Sequence, residues 1–179
     1  MPARQHFPVA PWSRTLKLVS AFATIILMIA GSAVYGKITL ITGFPHVLGL
    51  GIGLIFPAIL IFSLLYMVTG YAVEGNVLHV ERLFWSTHVS LEGLSRVWSD
   101  PVVCKGSIRI FGNGGLYSFS GLYRNKALGN YRLFATDFTR ATVLVLAQRT
   151  VVVTPSSPQV FIDFMRRQFP AIETDRERY

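Results

Sequence analysis

The first 73 of the chain's 179 residues contain no Asp or Glu; all nine acidic side chains lie at or after Glu74. Cysteine is almost absent as well. Cys104 stands alone, which excludes an intramolecular disulfide and suits a small core residue in a thiol-poor domain. His6, His46, His79 and His88 are scattered, with no second ligand at metal spacing, although His79 and His88 would face each other across a β-hairpin. There is no G-x-x-x-x-G-K-[ST] and no G-x-S-x-G. The run Gly112-Asn113-Gly114-Gly115 lacks the further glycine of a dinucleotide fingerprint and lies between two strand-like segments. Asp137 and Asp163 are single carboxylates, not an acid–base pair. These absences argue against an enzyme, a metal centre and a bound cofactor.

Charge is also missing where apolar residues concentrate. Residues 18–35 hold no Asp, Glu, Lys, Arg or His, and between 38 and 73 His46 is the only one of these. Mean hydropathy is +0.46, high for a soluble chain, and the excess sits before residue 70. A bilayer core takes about 20 apolar residues as a helix. The expectation is therefore a transmembrane helical hairpin over 16–68, with spans at 16–35 and 47–68, after a cytoplasmic N-terminal segment 1–15. Pro57 falls inside the second span, where a kink is tolerated. Gly31-Ser32-Ala33 faintly resembles a cleavage site, but the long run and the second span favour a retained helix. Arg4, Arg14 and Lys17 lie before or at the start of the first span and Lys37 follows it, which places both termini in the cytoplasm. Gly49 and Gly53, with Gly31 and Ser32 at similar depth, would allow close helix packing, within the chain or in a homo-oligomer.

Net charge is +8, but four of the 17 basic residues belong to the anchor, so the rest is only mildly basic. Nucleic acid is not an expected partner, because no basic stripe or known motif supports it.

From Tyr71 onward the pattern becomes short alternating runs. Gly75-Asn76 between two β-prone segments marks a tight hairpin, with Leu78 and Val80 facing in and His79 and Glu81 out. Further strands are expected over 87–91, weakly over 94–98, then over 108–111, 116–120, 131–135, 141–147 and 151–153. The glycines at 112–115 serve as the turn that stops one of them. Ser157 and Pro158 open an amphipathic helix that ends at Phe169-Pro170. About seven strands closed by a C-terminal helix describe an α+β membrane protein: a two-helix anchor, a β-barrel domain over 71–169 and a polar tail over 170–179.

The residues Gly112-Asn113-Gly114-Gly115, Tyr117, Gly121, Gly129-x-Tyr131-x-x-Phe134-Ala135-Thr136-Asp137, Val151-Val152-Val153-Thr154-Pro155 and Pro158-x-x-Phe161 resemble the bacterial pleckstrin-homology (PH) domain family, in particular its membrane-linked kind. The resemblance implies a binding scaffold held at the cytoplasmic face of a bacterial inner membrane, with a protein partner or a place in a membrane complex. The candidate surface is Gly112, Asn113, Gly114 and Gly115 with Arg124, Lys126 and Arg132. The last three point alternatively to an anionic lipid headgroup. A role as accessory subunit of an enzyme or transporter is the third option.

Overall fold

A computed structural model describes residues 4–39 and 46–174. Ser13 starts the first helix as its cap: its hydroxyl accepts from the Leu16 amide at 3.1 Å and its carbonyl from the Lys17 amide at 3.0 Å. Helix α1 then runs Arg14–Thr39, and α2 covers His46–Leu65 with Pro57 inside it. Over Arg14–Ile38, α1 is long and apolar enough to cross a membrane, while the described apolar part of α2, Gly51–Leu65, is shorter. Residues 40–45, the packing around Gly49 and residues 175–179 lie outside the described residues. The helices touch through aromatic rings seated on glycines. A Cβ at Gly31 would lie 3.1 Å from Phe56, and one at Gly53 would lie 3.3 Å from Tyr35.

The strands are β1 (Gln5–Pro8), β2 (Gly70–Glu74), β3 (Val77–Glu81), β4 (Ser86–Ser90), β5 (Arg96–Ser99), β6 (Ile108–Gly114), β7 (Phe119–Asn125), β8 (Gly129–Ala135), β9 (Thr142–Val145) and β10 (Thr150–Val153). Helix α3 spans Pro158–Gln168. Ser157 holds its cap position, but its hydroxyl makes no capping bond.

The expected barrel does not form. The described strands make a four-stranded sheet, β1-β2-β3-β4, and a six-stranded sheet, β5-β9-β10-β8-β7-β6, with no ladder joining them. Two features keep them apart. The free edge of β2 is taken by β1, a strand from the far side of both apolar helices, in the register Gln5↔Val73 to Pro8↔Gly70. The opposite edge, β6, bulges between Arg109 and Phe111, which spoils further pairing. The last three strands also depart from a simple meander, because β10 inserts between β8 and β9 and runs parallel to β8.

The six-stranded sheet is covered on both faces near its centre. Val151 and Val153 pack with Tyr71, Leu78, Val80 and α3 residues Phe161 and Met165. Val152 faces the other way, with Leu16, Cys104, Tyr131 and Leu133. Two-sided burial explains why these strands read as unbroken apolar runs. Tyr71 ties the sheets together. Its hydroxyl donates to the Phe134 carbonyl at 2.6 Å and accepts from the Thr154 amide at 3.0 Å, and burial pushes its pKa up to about 12.

Strand β6 does not stop at Phe111, and β7 begins only at Phe119. Gly112 and Gly121 are paired strand residues with φ of 109° and 148°. A Cβ at Gly112 would lie 2.4 Å from the Ser120 carbonyl oxygen, and one at Gly121 would lie 2.1 Å from that of Phe111. No larger residue fits such an approach. The turn itself falls at residues 115–118.

Candidate functional site

The N-terminal segment lies along the domain before it enters α1. The Ala10 amide donates to the Thr154 carbonyl at 2.8 Å, and the Thr136 hydroxyl donates to the Ala10 carbonyl at 2.6 Å. Leu16 and Ser20 then sit one helical turn apart on one face of α1 and are both buried. Ser20 donates through its hydroxyl to the Gly115 carbonyl at 3.0 Å and accepts from the Tyr117 amide at 3.0 Å. Thr24, one turn further, lies 3.0 Å from the Tyr117 hydroxyl. Tyr117 has φ of 65°, an uncommon conformation for a non-glycine residue that these contacts hold in place. The glycine-rich segment is thus partly occupied by the chain's own first helix.

The end of α2 meets the domain differently. Arg82, between β3 and β4, is only 9% exposed. Its Nε donates to the Thr87 hydroxyl at 3.0 Å, and its Nη1 donates to the Tyr66 carbonyl just past α2. The guanidinium lies 5.4 Å from the Tyr66 ring centre and 5.7 Å from that of Phe134. Burial lowers its pKa from the ordinary value. Arginine nevertheless keeps its charge in proteins, so the buried cation cannot be relieved by losing a proton. No acidic side chain pairs with it among the described residues.

Arg82 lines a cavity of about 720 Å³ between the end of α2 and the outer part of the six-stranded sheet. The β10 side of that sheet face is covered by the four-stranded sheet and α3, and beyond Phe134 the cover ends. Phe62, Ser63 and Tyr66 form one wall. Leu122 and Arg132, cross-strand partners on β7 and β8, form the floor with Phe111. Arg109, whose Nη1 donates to the Gly112 carbonyl at 3.1 Å, adds a third cation. No acidic residue is among the lining. The volume lies within the roughly 300–1,000 Å³ range of small-molecule sites.

The residues singled out from the sequence are divided by this geometry. Gly112, Asn113 and Arg132 line the cavity. Gly114 is covered by the Arg109 side chain, and Gly115 packs on Val19 of α1. Arg124 is exposed on β7, and Lys126 is exposed in the β7–β8 turn; neither lines the cavity. Gly31, Ser32 and Gly53 line a separate groove of about 310 Å³ between α1 and α2. The Ser32 hydroxyl bonds back to the Met28 carbonyl of its own helix. Arg82 and Arg109 were not legible as site residues, because their neighbours are distant in sequence.

Elsewhere, His79 and His88 face each other across β3 and β4, with ring centres 4.6 Å apart. No group of three metal-ligating side chains assembles among the described residues. Burial pushes the Cys104 thiol up to about 11, so it remains protonated and inert at neutral pH.

Residues 69–169 match the family described as bacterial PH domain. No curated protein and no solved structure matches the chain. The matched segment runs from the residue before β2 to the end of α3 and takes in both sheets except β1. With more than half of its residues inside that match, the chain belongs to the bacterial PH domain family.

Proposed function

We propose that this protein is a membrane-anchored, non-catalytic binding module, with α1 and α2 as a transmembrane hairpin and the PH-like domain at the cytoplasmic face of a bacterial inner membrane. The observation that carries the topology is the pairing of β1 with β2. Those strands flank the two apolar helices, so if α1 crosses a bilayer the chain must cross back before Gly70. Of the residues between, α2 is the apolar helix able to make that return. Exposure supports the membrane: Leu18, Phe22, Ile25 and Ile29 of α1 are each more than half exposed, a stripe that water does not favour. Arg14 and Lys17 stand at the domain end of α1 and Lys37 at the other, which favours a cytoplasmic domain. Leu83, Phe84 and Trp85 lie beside the end of α2, where Trp85 stacks edge-on against Tyr66 at 5.0 Å. Such aromatics suit the headgroup level.

Cysteine labelling tests this reading. In a Cys104→Ser background, Lys37→Cys is expected to react with an impermeant maleimide on spheroplasts, and Lys126→Cys only after lysis. Labelling of both from the same side would sink the two-span topology.

A protein partner is favoured by one further observation. Strand β6 is the outer strand of its sheet, with Ile108 72% and Ile110 51% exposed, an apolar strip against which a partner's apolar side chains would pack. Ile110→Lys is expected to abolish co-purification of such a partner after mild detergent extraction. Unchanged co-purification would remove this edge from consideration.

A further inference from the structure

We propose that the cavity at the end of α2 holds one anionic phospholipid of the cytoplasmic leaflet, its phosphate among Arg82, Arg109 and Arg132 and its acyl chains along Phe62 of α2. The inference rests on the membrane reading above and names a ligand for the module.

Charge is the first argument. Arg82 has five N–H groups, of which two are engaged, by Thr87 and the Tyr66 carbonyl, among the described residues, and the guanidinium lines the cavity. A buried, unpaired guanidinium is costly unless a counter-ion arrives. Arg109 and Arg132 line the same space, and neither forms an ion pair among the described residues. Three planar cations with no carboxylate in the lining fit a phosphate, which arginine binds through paired N–H groups.

The walls distinguish an amphiphile from a soluble anion. Phe62, Phe111 and Leu122 are apolar and exposed, at 62%, 78% and 36%. One of them belongs to the last turn of α2, so the cavity adjoins the helix surface on which acyl chains would lie. A free phosphate has no use for that wall, whereas a diacyl lipid meets both halves of the site. The position differs from that of the basic triplet seen in the sequence, since Arg124 and Lys126 lie outside it.

The test uses the full chain in mild detergent, titrated with phosphatidylglycerol or phosphatidylcholine and read by native mass spectrometry. One phosphatidylglycerol adduct is expected at lipid ratios where phosphatidylcholine leaves none. The double variant Arg109→Gln, Arg132→Gln changes two exposed sheet residues and is expected to weaken that adduct by at least about tenfold. Lys126→Gln, outside the cavity, should leave it within about twofold. Equal retention of the two lipids, or full retention by the double variant, would overturn the proposal. So would displacement by inorganic phosphate, which would mark a soluble-anion site. Flotation with pure phosphatidylcholine vesicles after a carbonate wash separates the two readings. A chain that fails to float loses both the anchor and the lipid site, while one that floats without preferring phosphatidylglycerol loses only the latter.

Discussion

At the α1 junction the polar groups are neutral and paired: Ser20, the Gly115 carbonyl and the Tyr117 amide and hydroxyl, set beside the buried Leu16. At the α2 junction a single buried guanidinium makes the connection, with aromatic rings around it and a cavity beside it. The first arrangement leaves nothing over, so it serves to fix the helix on the domain. The second borders open volume, so it is where a ligand can enter. One PH-like domain therefore meets its two apolar helices through a closed contact and an open one.

The strongest way to break that contrast is at Leu16. It is fully buried between the domain and the start of α1, so Leu16→Ala should cost about 2–5 kcal/mol, read as denaturant unfolding of the full chain in detergent. A loss below about 1 kcal/mol would mean that the closed junction contributes little to stability.

Tyr71 supplies a reference belonging to neither junction. Its folded pKa of about 12 lies above its ordinary value of 10.0, so the neutral phenol is favoured in the fold. The stabilisation is complete below pH 10 and disappears as pH rises to about 12, because the unfolded chain ionises first. Tyr71's share of the stability should fall by roughly 2–3 kcal/mol across that window, with its part of the tyrosinate absorbance appearing only on unfolding. Ionisation of all tyrosines before unfolding would contradict it.

Ser20→Ala comes next. It leaves the Gly115 carbonyl and the Tyr117 amide short of a partner in a buried place, at an expected cost of about 1–3 kcal/mol. Arg82→Met should cost less, about 1 kcal/mol, because removing an unpaired buried cation offsets the bonds lost to Thr87 and Tyr66. If Arg82→Met proved as damaging as Leu16→Ala, the guanidinium would be a structural tie and the contrast between junctions would fail.

Local chemistry explains which of these features were visible beforehand. The β2–β3 hairpin was legible because Gly75-Asn76 sets the turn and alternation sets the faces. Strand β1 was not, since Gln5-His6-Phe7-Pro8 has no pattern of its own and pairs with residues beyond both helices. Proline at its end is allowed because β1 is an edge. The glycines at 112–115 suggested a turn, the usual role of such a cluster. Their strand character depends on Gly121, which stands opposite Gly112 once the turn is centred between Leu116 and Tyr117. That symmetry was available in the sequence as a signal. The grouping of Arg124, Lys126 and Arg132 misled. Arg124 and Lys126 lie toward the β7–β8 turn, outside the cavity lining, and the cations that join Arg132 come from β6 and from the β3–β4 connection.

Thr24 carries the smallest expected effect and the finest test of depth. Its hydroxyl donates to the Ser20 carbonyl at 2.7 Å, a bond back along the helix that contributes little, and so meets the Tyr117 hydroxyl as an acceptor. Thr24→Val keeps the shape and removes only that contact. The cost should be under about 1 kcal/mol in detergent and in nanodiscs, provided the Tyr117 hydroxyl can turn to water or to headgroups. A cost of about 2 kcal/mol or more in nanodiscs alone would mean that no such substitute exists at this level. The turn at 115–118 would then lie within hydrocarbon, and the closed junction would sit deeper in the membrane than the open one.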